Sequence, residues 1–197
     1  MRRYIVYIFL ILFLLSLIPL SAQHEIKLPP EPFTSVQKKL HPDAPPETKL
    51  LSQLFGEWDA YQVKRNKDGS WSSDTTHSAW RWYSILDGHA IQDDWITISP
   101  GWTPERKIVG TNIRIYNAKE KQWHMAWIDK TNRRTATFTA KNENDTVIMS
   151  GKNAMGRDVK ITFYNFTKET FDWKQEWTFD GGQSWVEVTK MHCKRKL

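Results

Sequence analysis

The residues most able to do chemistry lie between positions 171 and 180. Phe171, Trp173, Gln175, Trp177 and Phe179 alternate there with Asp172, Lys174, Glu176 and Thr178. In an extended strand this period of two sends the first set to one face and the second to the other. Four large aromatic rings around one amide have the make-up of a small-molecule pocket, an apolar lining with a few polar fixtures. Trp80 and Trp82 share a face of an earlier segment, and Trp123 and Trp127 share one of another. The candidate ligand-binding residues are therefore Trp58, Arg114, Trp127, Trp173, Gln175 and Trp177. A second reading uses the same residues: the tryptophans fill the interior, and Gln175 bonds to Arg114 or to the backbone, because a buried amide needs a partner.

Catalytic and metal constellations are harder to find. Histidines stand at 24, 41, 77, 89, 124 and 192, none at a metal-ligand spacing from another histidine, cysteine or carboxylate, so no metal is expected. Asp93 and Asp94 are adjacent and point to opposite faces of any strand, so they cannot act as a pair. A carboxylate such as Asp94 working with Arg114 would be the enzyme alternative. No Ser-His-Asp or Cys-His set is recognisable. Cys193 is the only cysteine, which excludes an internal disulfide and reads as an inert strand residue. Asn144-Asp145-Thr146 and Asn165-Phe166-Thr167 are glycosylation sequons, relevant only where that machinery exists. No catalytic residue is assigned, and binding is expected in preference to catalysis.

These residues must be held by a protein that leaves the cytoplasm. Arg2 and Arg3 precede the uncharged run Tyr4–Leu20, and Ser21-Ala22-Gln23 offers small residues for cleavage, the layout of a secretory signal peptide over residues 1–23. The alternative is a retained anchor, since the 17-residue run sits at the lower limit of ~17 for a span. Cleavage leaves 174 residues, about one domain. Without the two leading arginines, the net charge of +6 falls to near +4. Positive and negative side chains are interspersed up to a short basic tail, which argues against a nucleic-acid partner.

Residues 24–46 carry six prolines and read as an extended linker. Leu50, Leu51, Leu54 and Phe55 have helical spacing, predicting a short helix over Glu47–Phe55 that ends at Gly56. From there the period is two, and 47–197 is read as one domain. Ten strands are predicted: Glu57–Lys64, Thr75–Leu86, His89–Ile98, Lys107–Tyr116, Gln122–Asp129, Thr135–Lys141, Thr146–Lys152, Val159–Phe166, Phe171–Asp180 and Ser184–Lys194. A longer loop through Pro100, Gly101 and Pro104 interrupts the series. Short links force antiparallel neighbours. Closure removes the open edges that such a sheet would expose, giving an up-and-down barrel in preference to a two-layer sandwich.

Gly56-Glu57-Trp58, after a short helix and before the first strand, resembles the lipocalin (calycin-type) signature. That resemblance implies a tryptophan closing one barrel end beneath a late basic residue, with Lys194 or Arg195 as the counterpart. The chain from about Leu51 to Lys194 also resembles the DUF1579-type family of exported bacterial lipocalin-like proteins. The likeness rests on Phe55-Gly56-Glu57-Trp58, Leu86-Asp87-Gly88, Gln92-Asp93-Asp94-Trp95, Gly110-Thr111 and Asp180-Gly181-Gly182-Gln183-Ser184-Trp185. It implies a fold and no established activity. Thr178 to Trp185 also matches the Asp-box of sialidase propellers, but a propeller needs repeats; Asn66 to Trp71 is a partial echo, and a stabilised hairpin is expected. Nitrobindin-like barrels are similar in architecture and hold haem through a late histidine, here His192. Ala60 and Gln62 stand where their opening motif has glycines, so no cofactor is expected. The resulting expectation is an exported protein that holds a small apolar or amphipathic ligand, in contact with a membrane only through an uncleaved leading segment. The alternatives are a barrel-mouth enzyme and a structural envelope protein with a filled core.

Overall fold

A computed structural model describes residues 37–98 and 105–196. The proposed signal segment, most of the proline-rich stretch and the loop at Pro100, Gly101 and Pro104 lie outside the described residues.

Ten antiparallel strands close on themselves: β1 (Gly56–Lys64), β2 (Thr76–Ile85), β3 (Ala90–Ile98), β4 (Arg106–Asn117), β5 (Gln122–Asp129), β6 (Arg134–Glu143), β7 (Thr146–Lys152), β8 (Asp158–Tyr164), β9 (Thr170–Trp177) and β10 (Val186–Arg195). Each strand pairs with its neighbour in sequence, and β1 pairs with β10. This is the lipocalin-like up-and-down barrel that the alternation predicts. A 3-10 turn (Pro46–Thr48) runs into one α-helical turn, α1 (Lys49–Ser52), ahead of β1.

One end of the barrel is plugged. Leu51 and Leu54 are fully buried there with Trp58, Trp82, Trp123, Val147, Phe163 and Phe171. Trp58 donates its indole N–H to the Leu54 carbonyl at 2.6 Å and meets Phe171 edge-on at 4.8 Å between ring centres. Arg195, directly opposite Trp58 in the β1–β10 register, lays its guanidinium 4.1 Å from the Trp58 ring. The same guanidinium donates to the carbonyls of Gln53, Phe55 and Lys168. Arg195, not Lys194, is thus the basic residue of the closure.

Residues 37–45, read from sequence as part of a linker, pack onto the barrel. The Gln37 carbonyl accepts both the Ser84 N–H and its hydroxyl. His41 donates its N–H to the Gly88 carbonyl, and its ring stacks on His89 at 4.1 Å. Proline spacing signals an extended backbone but not what that backbone lies against.

Two strand ends also differ from the sequence reading. β9 stops at Trp177 because Thr178 turns its hydroxyl into the following loop, donating to Asp180 and accepting the Gly182 N–H. Phe179, expected inside, is therefore 63% exposed and stacks beneath the Arg157 guanidinium at 4.2 Å. β10 starts at Val186 because the Ser184 N–H and hydroxyl are both given to Asp180. Asp68 makes the same bonds to Ser70 in the earlier loop, so the partial echo in the sequence is the same device.

These donors hold the Asp180 carboxyl down to about 2, the Ser184 hydroxyl contributing most. An unfolded aspartate titrates at ~3.9. The folded value is depressed, so the ordering of this loop is complete above the unfolded value and is lost as pH falls through about 2. In an NMR titration the Ser184 amide shift is expected to move with a midpoint near the folded value. A midpoint near that of a free aspartate would mean that the loop bonds do not form in solution.

Candidate functional site

Above the plug the barrel is not filled. A cavity of about 250 Å³ opens toward the end opposite Trp58. Its apolar wall includes Trp80, Trp95, Trp127, Phe138, Phe163 and Trp173. Its polar fixtures are Gln62, Asp93, Asn112, Arg114, Asn153 and Gln175, with Arg134 nearest the rim.

Alternation explains how the strands deliver these groups. β4 is buried at Gly110, Asn112, Arg114 and Tyr116, one face of a strand. The floor of the cavity is set by an ion pair inside the barrel. Asp93 and Arg114 are both buried and bonded to each other through an oxygen and a terminal guanidinium nitrogen. Asp93 also accepts the Trp80 indole N–H at 2.6 Å, and the Arg114 guanidinium lies 4.3 Å from the Trp82 ring. Burial pushes the Asp93 carboxyl up and the Arg114 guanidinium down from their ordinary values, and the attraction between them opposes both shifts.

This overturns the pairing of Asp94 with Arg114 considered for an enzyme. Asp94 points out of the barrel wall, where it bonds Arg81 at 2.7 Å and the Tyr83 hydroxyl at 3.2 Å. Gln92 lies on that outer face too, donating to Thr111 at 3.0 Å. The carboxylate facing Arg114 is Asp93. Alternation along β3 could not decide between them, because apolar residues stand on both of its faces.

The structure brings Arg114, Trp127, Trp173 and Gln175 together around the cavity. Trp58 lies instead in the plug, fully buried and away from the cavity. Trp177 sits half-buried beside Arg157 at the rim and does not line the cavity. Gln175 bonds neither to Arg114 nor to the backbone; among the described residues its amide has no hydrogen-bond partner. Asn112 Oδ1, Arg114 Nε, Arg134 Nε and Asn153 Nδ2 are likewise buried without one.

Several cavity residues escaped the sequence reading. Asn112 follows from Arg114 by parity. Arg134 was missed because β6 starts one residue earlier than predicted. Asn153 lies in a turn, where no periodicity operates. His192 turns outward and bonds Asp172 at 2.7 Å, so its ring does not face the cavity. Cys193 is buried in the plug, and burial pushes its thiol up. Among the described residues no group of three or more His, Cys, Asp or Glu side chains comes together as a metal site.

Trp127 owes its position to a glycine. A Cβ on Gly110 would clash with the Trp127 ring, so the indole occupies the space where a side chain would begin. Gly110→Ala is expected to displace Trp127 into the cavity and destabilise the barrel by about 1–3 kcal/mol, the usual effect of overpacking. Urea unfolding measures this; unchanged stability with Trp127 still in place in a crystal structure of the variant would refute it.

No family model matches the chain, and no curated protein matches it. Among solved structures it is similar to the S-type phycobiliprotein lyase CPES from Guillardia theta, with 9% identity and a TM-score of 0.51 over 76% of this chain and 92% of that one. Rv2717c from M. tuberculosis aligns at 9% identity and a TM-score of 0.47, over 79% of this chain and 100% of that one. EF1p2_mFAP2b bound to DFHBI aligns at 10% identity and a TM-score of 0.31, over 76% and 99% respectively. At such identity the first likeness is one of fold, and it agrees with the lipocalin-like barrel described above.

Proposed function

We propose that this chain is an exported protein that holds a small amphipathic molecule inside its barrel. The observation that carries the reading is a cavity of about 250 Å³ whose wall sets tryptophans beside polar side chains, among them Gln175, whose amide has no hydrogen-bond partner among the described residues. Leaving a buried donor or acceptor unmade costs about 1–3 kcal/mol each. A polar group of a bound ligand supplies the bond that the Gln175 amide lacks. Trp80, Trp95, Trp127 and Trp173 supply the apolar contact around it.

Export rests on the uncharged run Tyr4–Leu20 and the small residues after it. The finer resemblance to the DUF1579-type proteins is part of the same proposal. Its motifs coincide with structural necessities here: Trp58 in the plug, Asp93 in the buried ion pair, Gly110 beneath Trp127.

Native mass spectrometry of the protein purified gently from its own host tests the binding reading. An extra mass lost on denaturation is the expected result. Bare protein whose tryptophan fluorescence ignores lipids, haem and sugars would overturn it. The intact mass of the same sample tests export, since cleavage after residue 23 leaves 174 residues.

A further inference from the structure

We infer that the ligand carries a single anionic group, a carboxylate, sulfonate or phosphate, seated at Arg134 on the cavity rim, with its apolar body among the tryptophans below. This rests on the binding reading above and names the chemistry that the site would select.

The charges facing the cavity do not balance. Asp93 is committed to Arg114 and to the Trp80 indole. Arg134, at the first position of β6, is half-buried and lines the cavity. Among the described residues its guanidinium has neither a hydrogen bond nor an ion pair, and its Nε is shielded from solvent. A guanidinium stays charged at any working pH, and a half-buried, unpaired one is a strong site for an anion.

The nearest acid in the sheet makes no ion pair with Arg134. Asp129 is its direct cross-strand partner. Both Asp129 oxygens are taken by its own turn: one accepts the N–H groups of Thr131 and Asn132, the other the Asn132 amide. Asp180, the acid of the β9–β10 loop, is held in the same way by Thr178 and Ser184.

The remaining fixtures are neutral. Asn153 accepts the N–H groups of Met155 and Arg157 at its Oδ1, and its Nδ2 is buried without a partner. Asn112 Oδ1, an acceptor, and the Gln175 amide, which both donates and accepts, have no protein partner among the described residues. These amides suit either kind of ligand group, and the guanidinium of Arg134 is the fixture that calls for an anion.

Two probes of nearly one shape separate the possibilities: anionic 8-anilino-1-naphthalenesulfonate and neutral N-phenyl-1-naphthylamine. Binding to the mature protein is followed by fluorescence, and mutual competition establishes one shared site. The sulfonate is expected to bind at least about tenfold more tightly than the amine, the scale of one charge-assisted hydrogen bond. Arg134→Met should weaken the sulfonate by about 10- to 100-fold and leave the neutral probe unchanged. Arg134→Lys, which keeps the charge, should recover part of the preference. Lys130→Met, an exposed charge removed from the adjacent turn, should change neither probe by more than about twofold.

Equal affinity for the two probes, or a loss shared by Arg134→Met and Lys130→Met, would overturn the anion site while leaving a binding cavity intact. A loss of both probes in Arg134→Met would make Arg134 a packing residue and overturn it as well. Failure of both probes to bind the wild type would overturn the binding reading with it.

Discussion

Asp93→Ala is expected to destabilise the barrel by about 3–5 kcal/mol, because it leaves Arg114 charged, buried and unpaired. Arg114 is 1% exposed, with its guanidinium enclosed between the Trp82 and Phe163 rings and Asp93. The substitution also orphans the Trp80 indole N–H, which has no other bond among the described residues. Arg114→Met alone should be destabilising for the converse reason, a carboxylate left without its cation. The double variant Asp93→Leu, Arg114→Met should recover most of the loss, since exchanging a whole buried ion pair for apolar residues of similar volume is often neutral or stabilising. Urea unfolding of the two single variants and the double completes the cycle. If Asp93→Ala lowers stability by less than about 1 kcal/mol, the pair is no tighter than a surface ion pair and does not organise the cavity floor. The double variant has a second use. It should bind the sulfonate and neutral probes with altered affinity, since both residues face the cavity, and yet remain folded.

Trp58→Ala should have an effect of similar size, about 3–5 kcal/mol, typical of emptying a fully buried aromatic site. Its ring meets Phe171 edge-on and lies under the Arg195 guanidinium. Its N–H is the bond that ties the Leu54 carbonyl, and with it the helical turn, to the barrel. Removal would free that turn and leave Arg195 above a void. Trp58→Phe keeps most of the volume and loses the N–H bond, so a smaller change of about 0.5–1.5 kcal/mol is expected. The informative comparison is with ligand binding. Because Trp58 does not line the cavity, Trp58→Phe should leave probe affinity unchanged at temperatures where the variant is folded. A large loss of affinity in that variant would mean that the plug and cavity act as one unit, and would return Trp58 to the binding residues.

The fold was legible because it follows from local rules that act on every strand. Period-two alternation marked all ten strands, most of them to within a residue or two. The turn residues between them are those that the backbone demands: Asn144 and Asn165 take positive φ, and Gly181 and Gly182 do so in the β9–β10 loop. Phe171, Trp173 and Gln175 could be assigned inward because one face of β9 is aromatic and the other charged. Where hydrophobic residues occupy both faces of a strand, parity is silent. β3 is such a case: Ile91 and Trp95 face in with Asp93, while Ala90 and Ile96 are buried on the other face. The sequence therefore offered Asp94 as readily as Asp93.

By itself, then, the sequence determined the strands, their antiparallel order and the inward face of the most aromatic strand. Each of these is written in residue spacing, which covalent geometry converts directly into direction. The tertiary structure decided depth along the barrel axis. Trp58, Trp82 and Trp123 are solid plug, whereas Trp80, Trp95 and Trp127 border open space. Alternation gives a side chain's face but not its height, and height depends on the stagger of each strand against the next around a closed ring. It decided likewise that Asp129 turns into its own loop, so that among the described residues Arg134 has no ion pair. Such a choice between competing partners is settled by three-dimensional distance, which one-dimensional spacing does not encode.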